Sequence, residues 1–236
     1  MVLGKGMIGT ALQKVDRPDV LFCASGLSNS MGSDLAARQR ERGLLQQQIR
    51  LHPAKTVVYV SSYSINDAAI ALNSDYLQHK RQMENLVKET SRQYLILRTS
   101  NVVGRSRQSG NLMNFIYRHI CSGESFDVWT QTSRNLIDVE DFADMAADCL
   151  QTGLLNRMVY LIHPEDILIQ EIVRLFEKAL SRKGHYQLVP KGTYYNVDKS
   201  LSNTVFEKTG KAKAADVYVA DLIHKYFTDR DAAGSL

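Results

Sequence analysis

Cysteine, proline and tryptophan are scarce in this chain of 236 residues, which contains 3, 4 and 1 of them. The three cysteines, Cys23, Cys121 and Cys149, form no CxxC pair and lack the spacing of metal ligands. A disulfide-stabilised scaffold and a structural zinc site are therefore excluded. An odd number of cysteines in apolar surroundings indicates buried free thiols in a reducing compartment.

Long hydrophobic runs and strong charge of one sign are also missing. No apolar run approaches the roughly 18 residues of a membrane span, and the N-terminus lacks a signal-peptide pattern. The net charge is only +4, with basic residues spread along the chain, which suits an anionic substrate better than nucleic acid. We therefore expect a cytoplasmic protein without a membrane or nucleic-acid partner. The absence of a P-loop disfavours a phosphate transferase.

What the chain does contain is an alternation of β-branched strands with amphipathic helices. This order predicts an α/β fold, with a parallel sheet covered by helices on both faces. Residues 182–215 are polar and basic and are expected to be irregular, and residues 229–236 are expected to fray. The predicted strands are 19–24, 56–61, 94–98 and 158–162, with a short extended piece at 135–139, and the predicted helices are 10–14, 33–51, 75–92, 112–122, 141–151 and 168–181.

A glycine-rich turn lies near the start of the chain, between a short apolar stretch and the first helix. Gly4, Gly6 and Gly9 have the spacing GxGxxG, which allows a tight turn, close approach of a pyrophosphate and close packing of the helix. The N–H groups at the start of the helix then face the phosphate. An ordinary glycine-rich turn is the alternative, because GxGxxG alone is a weak signal.

A serine, a tyrosine and a lysine form the second candidate site. Ser62 follows the predicted strand 56–61, and Tyr76 and Lys80 lie four apart on one helix face. A lysine ammonium near a phenol lowers its pKa, and a serine hydroxyl can orient a carbonyl or alcohol oxygen. Such a set handles a proton while a nicotinamide handles the hydride. Tyrosine and lysine also occur at this spacing by chance.

Several segments together resemble the extended short-chain dehydrogenase/reductase family, which contains NAD(P)-dependent epimerases, dehydratases and reductases of sugar nucleotides. The last two of these segments are the most specific to the extended members. The segments are CASG at 23–26, VVYVSS at 57–62, YLQHK at 76–80, LRTSNVVG at 97–104 and RNLIDVED at 134–141.

The resemblance implies a Rossmann-like fold and a role for each matching residue. It implies that Ser62, Tyr76 and Lys80 are catalytic, and that Asn101 and Arg134 bind the diphosphate of a nucleotide sugar. For Asn101 a turn-forming role is the alternative, and for Arg134 a structural ion pair with an aspartate. The implied cofactor-binding residues are Gly4, Gly6, Met7, Ile8, Gly9, Ala24, Ser25, Thr99 and Ser100.

The chain departs from the family pattern on the side that binds adenosine. Only nine residues separate Gly9 from Asp19, so the usual second and third strands are expected to be absent. No carboxylate follows the strand 19–24 to hold a ribose hydroxyl, which favours NADP slightly over NAD. Basic residues that could meet a 2′-phosphate are Lys5, Arg38, Arg40 and Arg42.

Two functions remain open at this point. The first is an NAD(P)-dependent reductase or epimerase of a sugar nucleotide in polysaccharide or deoxysugar synthesis. The second is a non-catalytic nucleotide-binding or scaffold protein that has lost its cofactor. We expect residues 1–154 to form the dinucleotide-binding core and 155–236 a small substrate-binding region interleaved with it, in which 196–205 and 215–226 cover the sugar. A homodimer through helices 33–51 and 75–92 is a further expectation.

Overall fold

The computed structural model describes residues 1–26, 35–66, 74–105, 111–192 and 197–228. It divides into two compact units of discontinuous sequence. The first contains Met1–Ser100 and Val139–Leu161, and the second contains Asn101–Asp138 and Ile162–Leu236. The functional boundary expected at residues 154 and 155 stays a prediction. The tail 229–236 and Asn196 lie outside the described residues.

A parallel sheet of five strands forms the first unit, in the order β1-β2-β3-β4-β9. The central strands are buried on both faces, as expected for apolar, β-branched sequences between two helix layers. The α/β parallel sheet predicted from the sequence is thereby confirmed. The strands are β1 (Val2–Leu3), β2 (Val20–Cys23), β3 (Thr56–Ser62), β4 (Tyr94–Thr99) and β9 (Arg157–Leu161).

The sheet ends at β1 within the part of the chain that the structure describes. Helix α1 (Met7–Gln13) follows β1, and residues 14–19 then lead directly into β2, without a further strand or helix. A complete dinucleotide-binding sheet would continue beyond β1 with two more strands. The shortened adenosine side predicted from the sequence agrees with this strand order.

Three longer helices cover the sheet of the first unit. They are α2 (Leu35–Leu51), α3 (Asp75–Thr90) and α5 (Val139–Gln151). Ser74 caps α3, because its hydroxyl accepts a hydrogen bond from the Leu77 amide at 3.4 Å, and Asp75 complements the positive end of the helix. The buried face of α3 packs on the strands through Met83 and Val87, which are fully inaccessible to solvent.

Within its described residues, the second unit contains three pairs of short strands and four helices. Its aromatic core joins Tyr117, Phe176 and Phe227, with ring centroids 5.1 to 6.4 Å apart. The strand pairs are β5 (Asn101–Val103) with β8 (Leu136–Asp138), β6 (Phe126–Trp129) with β11 (Tyr186–Val189), and β7 (Ser133–Arg134) with β10 (Ile167–Leu168), and the helices are α4 (Leu112–Ser122), α6 (Ile169–Leu180), α7 (Ser200–Lys208) and α8 (Ala215–Phe227).

The expectation that residues 182–215 are irregular was wrong in part. Residues Tyr186–Val189 form β11, and Ser200–Lys208 form α7. Strand β11 has mostly exposed side chains, so its sequence carries little hydrophobic alternation, and only its parallel pairing with β6 makes it a strand. Helix α7 buries only a narrow stripe that includes Val205 and Phe206.

Candidate active site

The glycine turn connects β1 to α1, and its three glycines have different surroundings. Gly4 has φ +122°, and a Cβ atom there would lie 2.5 Å from the Ala24 carbonyl oxygen. A Cβ atom on Gly9 would overlap the Gly4 carbonyl group. These two glycines are therefore required by the fold itself.

Gly6 differs from the other two glycines of the turn. It is exposed, it stands at the N-cap of α1, and a Cβ atom there would meet no heavy atom within 4 Å. The absence of a side chain leaves open space in front of the first turn of α1, where Met7 and Ile8 are half-buried. A pyrophosphate fits such a position, because backbone N–H groups at a helix start are free to donate to it.

Ser62 and Tyr76 lie together at the carboxyl end of β3. Ser62 is the last residue of β3 and Tyr76 is in the first turn of α3, and the Ser62 side chain lies close enough to lower the pKa of Tyr76. Tyr76 also packs against Ile65 and Leu77. The sequence prediction that strand β3 and helix α3 bring serine and tyrosine together therefore agrees with the structure.

Lys80 lies one helical turn after Tyr76 and is almost completely buried, with 3% exposure. Its ammonium donates to the Tyr59 hydroxyl at 3.1 Å and to Glu41 Oε1 at 3.3 Å. Tyr59 donates to the same Glu41 oxygen at 2.8 Å. The other Glu41 oxygen, Oε2, lies 2.9 Å from His79 Nε2. We call these four residues, Glu41, Tyr59, His79 and Lys80, the Glu41 cluster.

Two interpretations of the sequence need correction here. Lys80 was expected to lower the pKa of Tyr76, whereas burial raises that pKa; the Ser62 side chain opposes this shift, and the Glu41 charge adds to it. A histidine at position 79, between Tyr76 and Lys80, is most simply interpreted from the sequence as a surface residue, but it is 4% exposed. The sequence did not show that Tyr76 and His79 would be buried, or that Glu41 would contact His79 and Lys80.

The remaining cofactor candidates of the first unit follow β2 and β4. Ala24 is tied to β1, because its amide donates to the Leu3 carbonyl at 2.8 Å, and the next residue, Ser25, is exposed. Thr99 is buried, and its hydroxyl donates to the Leu161 carbonyl at 2.9 Å. The Thr99 side chain therefore joins two strands, and its contact with a cofactor stays a prediction, as does that of the half-buried Ser100.

The two substrate-binding candidates belong to the second unit, where β5 pairs with β8. The Asn101 side-chain amide donates to the Asn135 carbonyl at 3.0 Å, so Asn101 stands in a strand rather than a turn. Arg134 is half-buried in β7 and donates to the Ser133 carbonyl at 2.8 Å. Of the aspartates that follow, Asp138 binds Lys225 at 2.8 Å.

A family model matches the part of the chain that carries these features. Its description is the NAD dependent epimerase/dehydratase family, and the match covers residues 45–161. Residues 45–161 are similar to this family. The matched residues include Ser62, Tyr76 and Lys80 together with Asn101 and Arg134, so the match contains both the candidate catalytic set and the candidate substrate-binding residues. No curated protein matches the chain.

Solved structures of low sequence identity share the fold of this chain. RMD from Pseudomonas aeruginosa, complexed with NADPH, matches with a TM-score of 0.72 at 16% identity, over 95% of this chain and 97% of that one. UDP-glucose-4-epimerase from Stenotrophomonas maltophila, with bound NAD and formylated UDP-arabinopyranose, matches with a TM-score of 0.70 at 15% identity. That match covers 96% of this chain and 80% of the epimerase. UDP-glucuronic acid 4-epimerase from Bacillus cereus, in complex with UDP-glucuronic acid and NAD, matches with a TM-score of 0.69 at 14% identity. That match covers 98% of this chain and 80% of the epimerase.

Two buried carboxylates of this chain were not predicted from the sequence. Glu84 accepts hydrogen bonds from Ser61 at 2.6 Å and from Arg98. A signal for Glu84 was available, because Lys80 and Glu84 continue the i, i+4 spacing of Tyr76 along the buried face of α3. Nothing in the local sequence sets Glu41 apart from the basic residues around it on α2.

Metal chemistry and membrane insertion find no support in the described ranges. No group of three or more histidine, cysteine, aspartate or glutamate side chains there could hold a metal ion. In the same ranges, every helix is too short or too polar to span a bilayer.

Proposed function

We propose that this protein is an enzyme that transfers a hydride between a nicotinamide cofactor and the sugar of a sugar nucleotide. The reaction is the reduction of a keto sugar, with position 4 favoured, or an epimerisation through such a keto sugar, in polysaccharide or deoxysugar synthesis in the cytoplasm. One observation carries the proposal: Ser62 and Tyr76 lie together at the carboxyl end of β3, one helical turn from Lys80, in the unit that also holds the glycine turn.

Each residue of this set has a chemical role in the proposal. Tyr76 gives its phenolic proton to the carbonyl oxygen during reduction and takes a proton from the alcohol during oxidation. Ser62 orients the same substrate oxygen. Lys80 carries the nearby positive charge. The nicotinamide, when bound, supplies or accepts the hydride. Because burial raises the pKa of Tyr76, the phenol stays protonated at neutral pH, as proton donation requires.

The residues of the first unit fit a dinucleotide through its pyrophosphate. The open space at Gly6 and the backbone N–H groups of Met7 and Ile8 support this part of the proposal. Two of the similar structures contain NAD and one contains NADPH, so a nicotinamide cofactor is consistent with the fold. NADP stays slightly favoured, with the exposed Lys5 as one basic partner for its 2′-phosphate.

One basic candidate for the 2′-phosphate is already engaged. Arg38 binds Asp75 with 2.9 Å between Nη2 and Oδ2. Arg40 and Arg42 are exposed on α2. A 2′-phosphate bound by exposed side chains gains modest affinity that salt reduces. We therefore expect a small preference for NADPH that decreases with ionic strength.

The sugar nucleotide is inferred from the family and from the ligands of the similar structures, two of which hold UDP sugars. In the proposal, Arg134 binds the diphosphate, because a guanidinium fork matches phosphate oxygens. Asn101 contributes hydrogen bonds to the same group. Arg134→Lys keeps the charge and loses the fork, so we expect it to raise KM for the sugar nucleotide more than it lowers kcat.

The first experiment is a titration with NADPH and NADH, followed by nicotinamide fluorescence and calorimetry. Saturable binding of either is expected, and the sugar-nucleotide screen is then run with the preferred cofactor. Tyr76→Phe should keep cofactor binding and lose turnover, with Tyr94→Phe in strand β4 as the matched control. Full turnover by Tyr76→Phe would refute the proposed chemistry. Net NAD(P)H consumption identifies a reductase, whereas an epimerase regenerates its cofactor.

A non-catalytic nucleotide-binding or scaffold function is the second candidate. The observation that favours it is the position of β1 at the end of the sheet, which removes the strands that usually hold adenosine. This candidate predicts that neither NADPH nor NADH binds at millimolar concentration. The same titration therefore decides between the two functions.

A homodimer through α2 and α3 is part of the proposal as well. Helix α2 exposes Leu44 and Leu51, at 36% and 60%, and their spacing places both on one side of the helix, which is consistent with a covered face. Light scattering tests this point, and a monomeric mass at micromolar concentration would rule the dimer out.

A further inference from the structure

We propose that Glu41 is the positioning residue for Lys80, and that its buried carboxylate holds the Lys80 ammonium charged and in place on the helix that also carries Tyr76. The proposal rests on the proposed function for its catalytic meaning, but its structural core concerns two side chains only. Glu41 lies in α2 and Lys80 in α3, so the contact joins the two helices that cover one face of the sheet.

Burial makes this contact consequential. The side chains of Lys80 and Glu41 are 4% and 5% exposed. An isolated ammonium or carboxylate in such a place would be strongly destabilised and would become neutral. An opposite charge at 3.3 Å, together with hydrogen bonds, compensates for the lost hydration.

The groups around Lys80 divide into acidic and neutral partners. Glu41 approaches from α2, Tyr59 from β3, and Glu84 follows Lys80 on α3. The Lys80 ammonium also lies 5.0 Å from the centre of the Tyr59 ring. Burial lowers the pKa of Lys80, and Glu41 is the largest opposing influence, ahead of Glu84. Glu41 is therefore the residue whose removal should change the charge of Lys80 most.

The backbone at Gly26, which follows β2, lies close to both Lys80 and Glu41. A Cβ atom on Gly26 would overlap Lys80 Nζ and would lie 2.7 Å from Glu41 Oε1. Both atoms are ends of flexible side chains, so an added methyl group would displace them while the backbone is kept. Gly26 thus offers a second way to disturb the contact without removing either charge.

Glu41 also influences Tyr76 through its charge. Its negative charge raises the pKa of Tyr76, and the Ser62 side chain acts in the opposite direction. Glu41→Gln changes the environment of Tyr76 in two opposing ways, because it removes a negative charge and weakens the positive one on Lys80. The direct readout is therefore the protonation of Lys80 rather than that of Tyr76.

The test measures Lys80 protonation by NMR on the full chain labelled with 15N at lysine Nζ. A buried, ion-paired ammonium exchanges slowly and gives its own signal, which Lys80→Arg assigns by its disappearance. We expect the pH midpoint of this signal to fall by at least one unit, a tenfold change in acidity, in Glu41→Gln. The control is Glu89→Gln, which changes an exposed glutamate of α3, the helix of Lys80. It should leave the midpoint unchanged. An unchanged midpoint in a folded Glu41→Gln overturns the proposal.

Gly26→Ala is the second variant, and it decides the question if Glu41→Gln does not fold. It should also lower the midpoint, because the added methyl group separates Lys80 from Glu41. Unaltered Lys80 titration in Gly26→Ala would then refute the proposal.

The measurement needs neither cofactor nor substrate, so its result is independent of the proposed function. If the protein binds no nicotinamide cofactor, the proposed function fails while the titration still tests Glu41. If the enzyme turns over, Glu41→Gln should lower kcat at least tenfold with little change in KM. A folded variant with a shifted midpoint and full kcat would show that the charge of Lys80 is not used in catalysis.

Discussion

Glu84 and Arg98 form a two-pronged ion pair inside the first unit, with Oε1 2.8 Å from Nε and Oε2 2.8 Å from Nη2. Glu84 is 2% exposed and also accepts a hydrogen bond from Ser61. The pair fastens α3 to the strands β3 and β4. Because α3 also carries Tyr76 and Lys80, this ion pair helps to fix the position of the candidate catalytic residues relative to β3 and β4.

Breaking this pair should destabilise the fold. Arg98→Met leaves the buried Glu84 carboxylate without its main partner, and such a loss costs about 3–5 kcal/mol. Urea unfolding measures the difference, and the double variant Glu84→Gln with Arg98→Met should recover a large part of it. As a control, Arg174→Met removes an exposed pair with Glu171 and should change stability by less than about 1 kcal/mol. Equal losses for Arg98→Met and Arg174→Met would contradict the argument.

The glycines of the turn should separate stability from cofactor binding. Gly9→Ala forces a methyl group into the Gly4 carbonyl, so we expect a loss of about 1–3 kcal/mol in unfolding free energy. Gly6→Ala meets no neighbouring atom, so stability should be kept while affinity for NADPH or NADH falls at least tenfold. Thermal melts and the cofactor titration provide the two readouts. If Gly6→Ala binds NADPH or NADH with unchanged affinity, the glycine turn is not part of the cofactor site.

The Ser62 hydroxyl should tune the pH dependence of turnover. It lowers the pKa of Tyr76, against the raising effects of burial and Glu41. Ser62→Ala should therefore raise this pKa, so that the increase in oxidation rate with pH moves to higher pH. The rate at neutral pH should also fall, by about 10²-fold, because the substrate oxygen loses a hydrogen bond. Profiles of kcat/KM against pH measure both effects, and Ser64→Ala is the neighbouring control.

The three cysteines should differ in reactivity. Burial raises the pKa of Cys23 and of Cys149 to about 12, whereas Cys121 is only half-buried. Since the thiolate is the reactive form, iodoacetamide at pH 8 should label Cys121 first and the other two only on unfolding. Peptide mass spectrometry gives the order. Early labelling of Cys23 in the folded protein would show that the reagent reaches the core around β2, and would contradict the burial of this thiol.

The same thiols make the fold sensitive to alkali. Their pKa is about 9 in the unfolded chain and about 12 in the folded protein. Their contribution to stability is therefore complete below about pH 9 and is lost as the pH rises from 9 to 12. The urea midpoint of unfolding is measured at pH 7.5 and at pH 10.5. Its decrease between these two pH values should be smaller in the double variant Cys23→Ala, Cys149→Ala than in the unmodified protein.

Much of the first unit could be predicted from local sequence. The apolar, β-branched residues of β3 and β4 leave no alternative to buried strands, and Ser74 with Asp75 marks the start of α3. The glycine spacing and the Ser62, Tyr76 and Lys80 pattern were visible because each depends on a short stretch of chain. The short strands of the second unit were less predictable, since β6 and β11 are stabilised by pairing between segments 60 residues apart.

The sequence by itself determined the α/β class, the shortened adenosine side and the identity of the candidate residues, because these properties follow from composition and from spacing within one element. Only the tertiary structure decided the surroundings of those residues. Glu41 is 39 residues from Lys80 along the chain, yet it shares a buried contact with it. Burial and charge at a site depend on which distant segments pack together, and for Tyr76 and Lys80 they set the direction of each pKa shift.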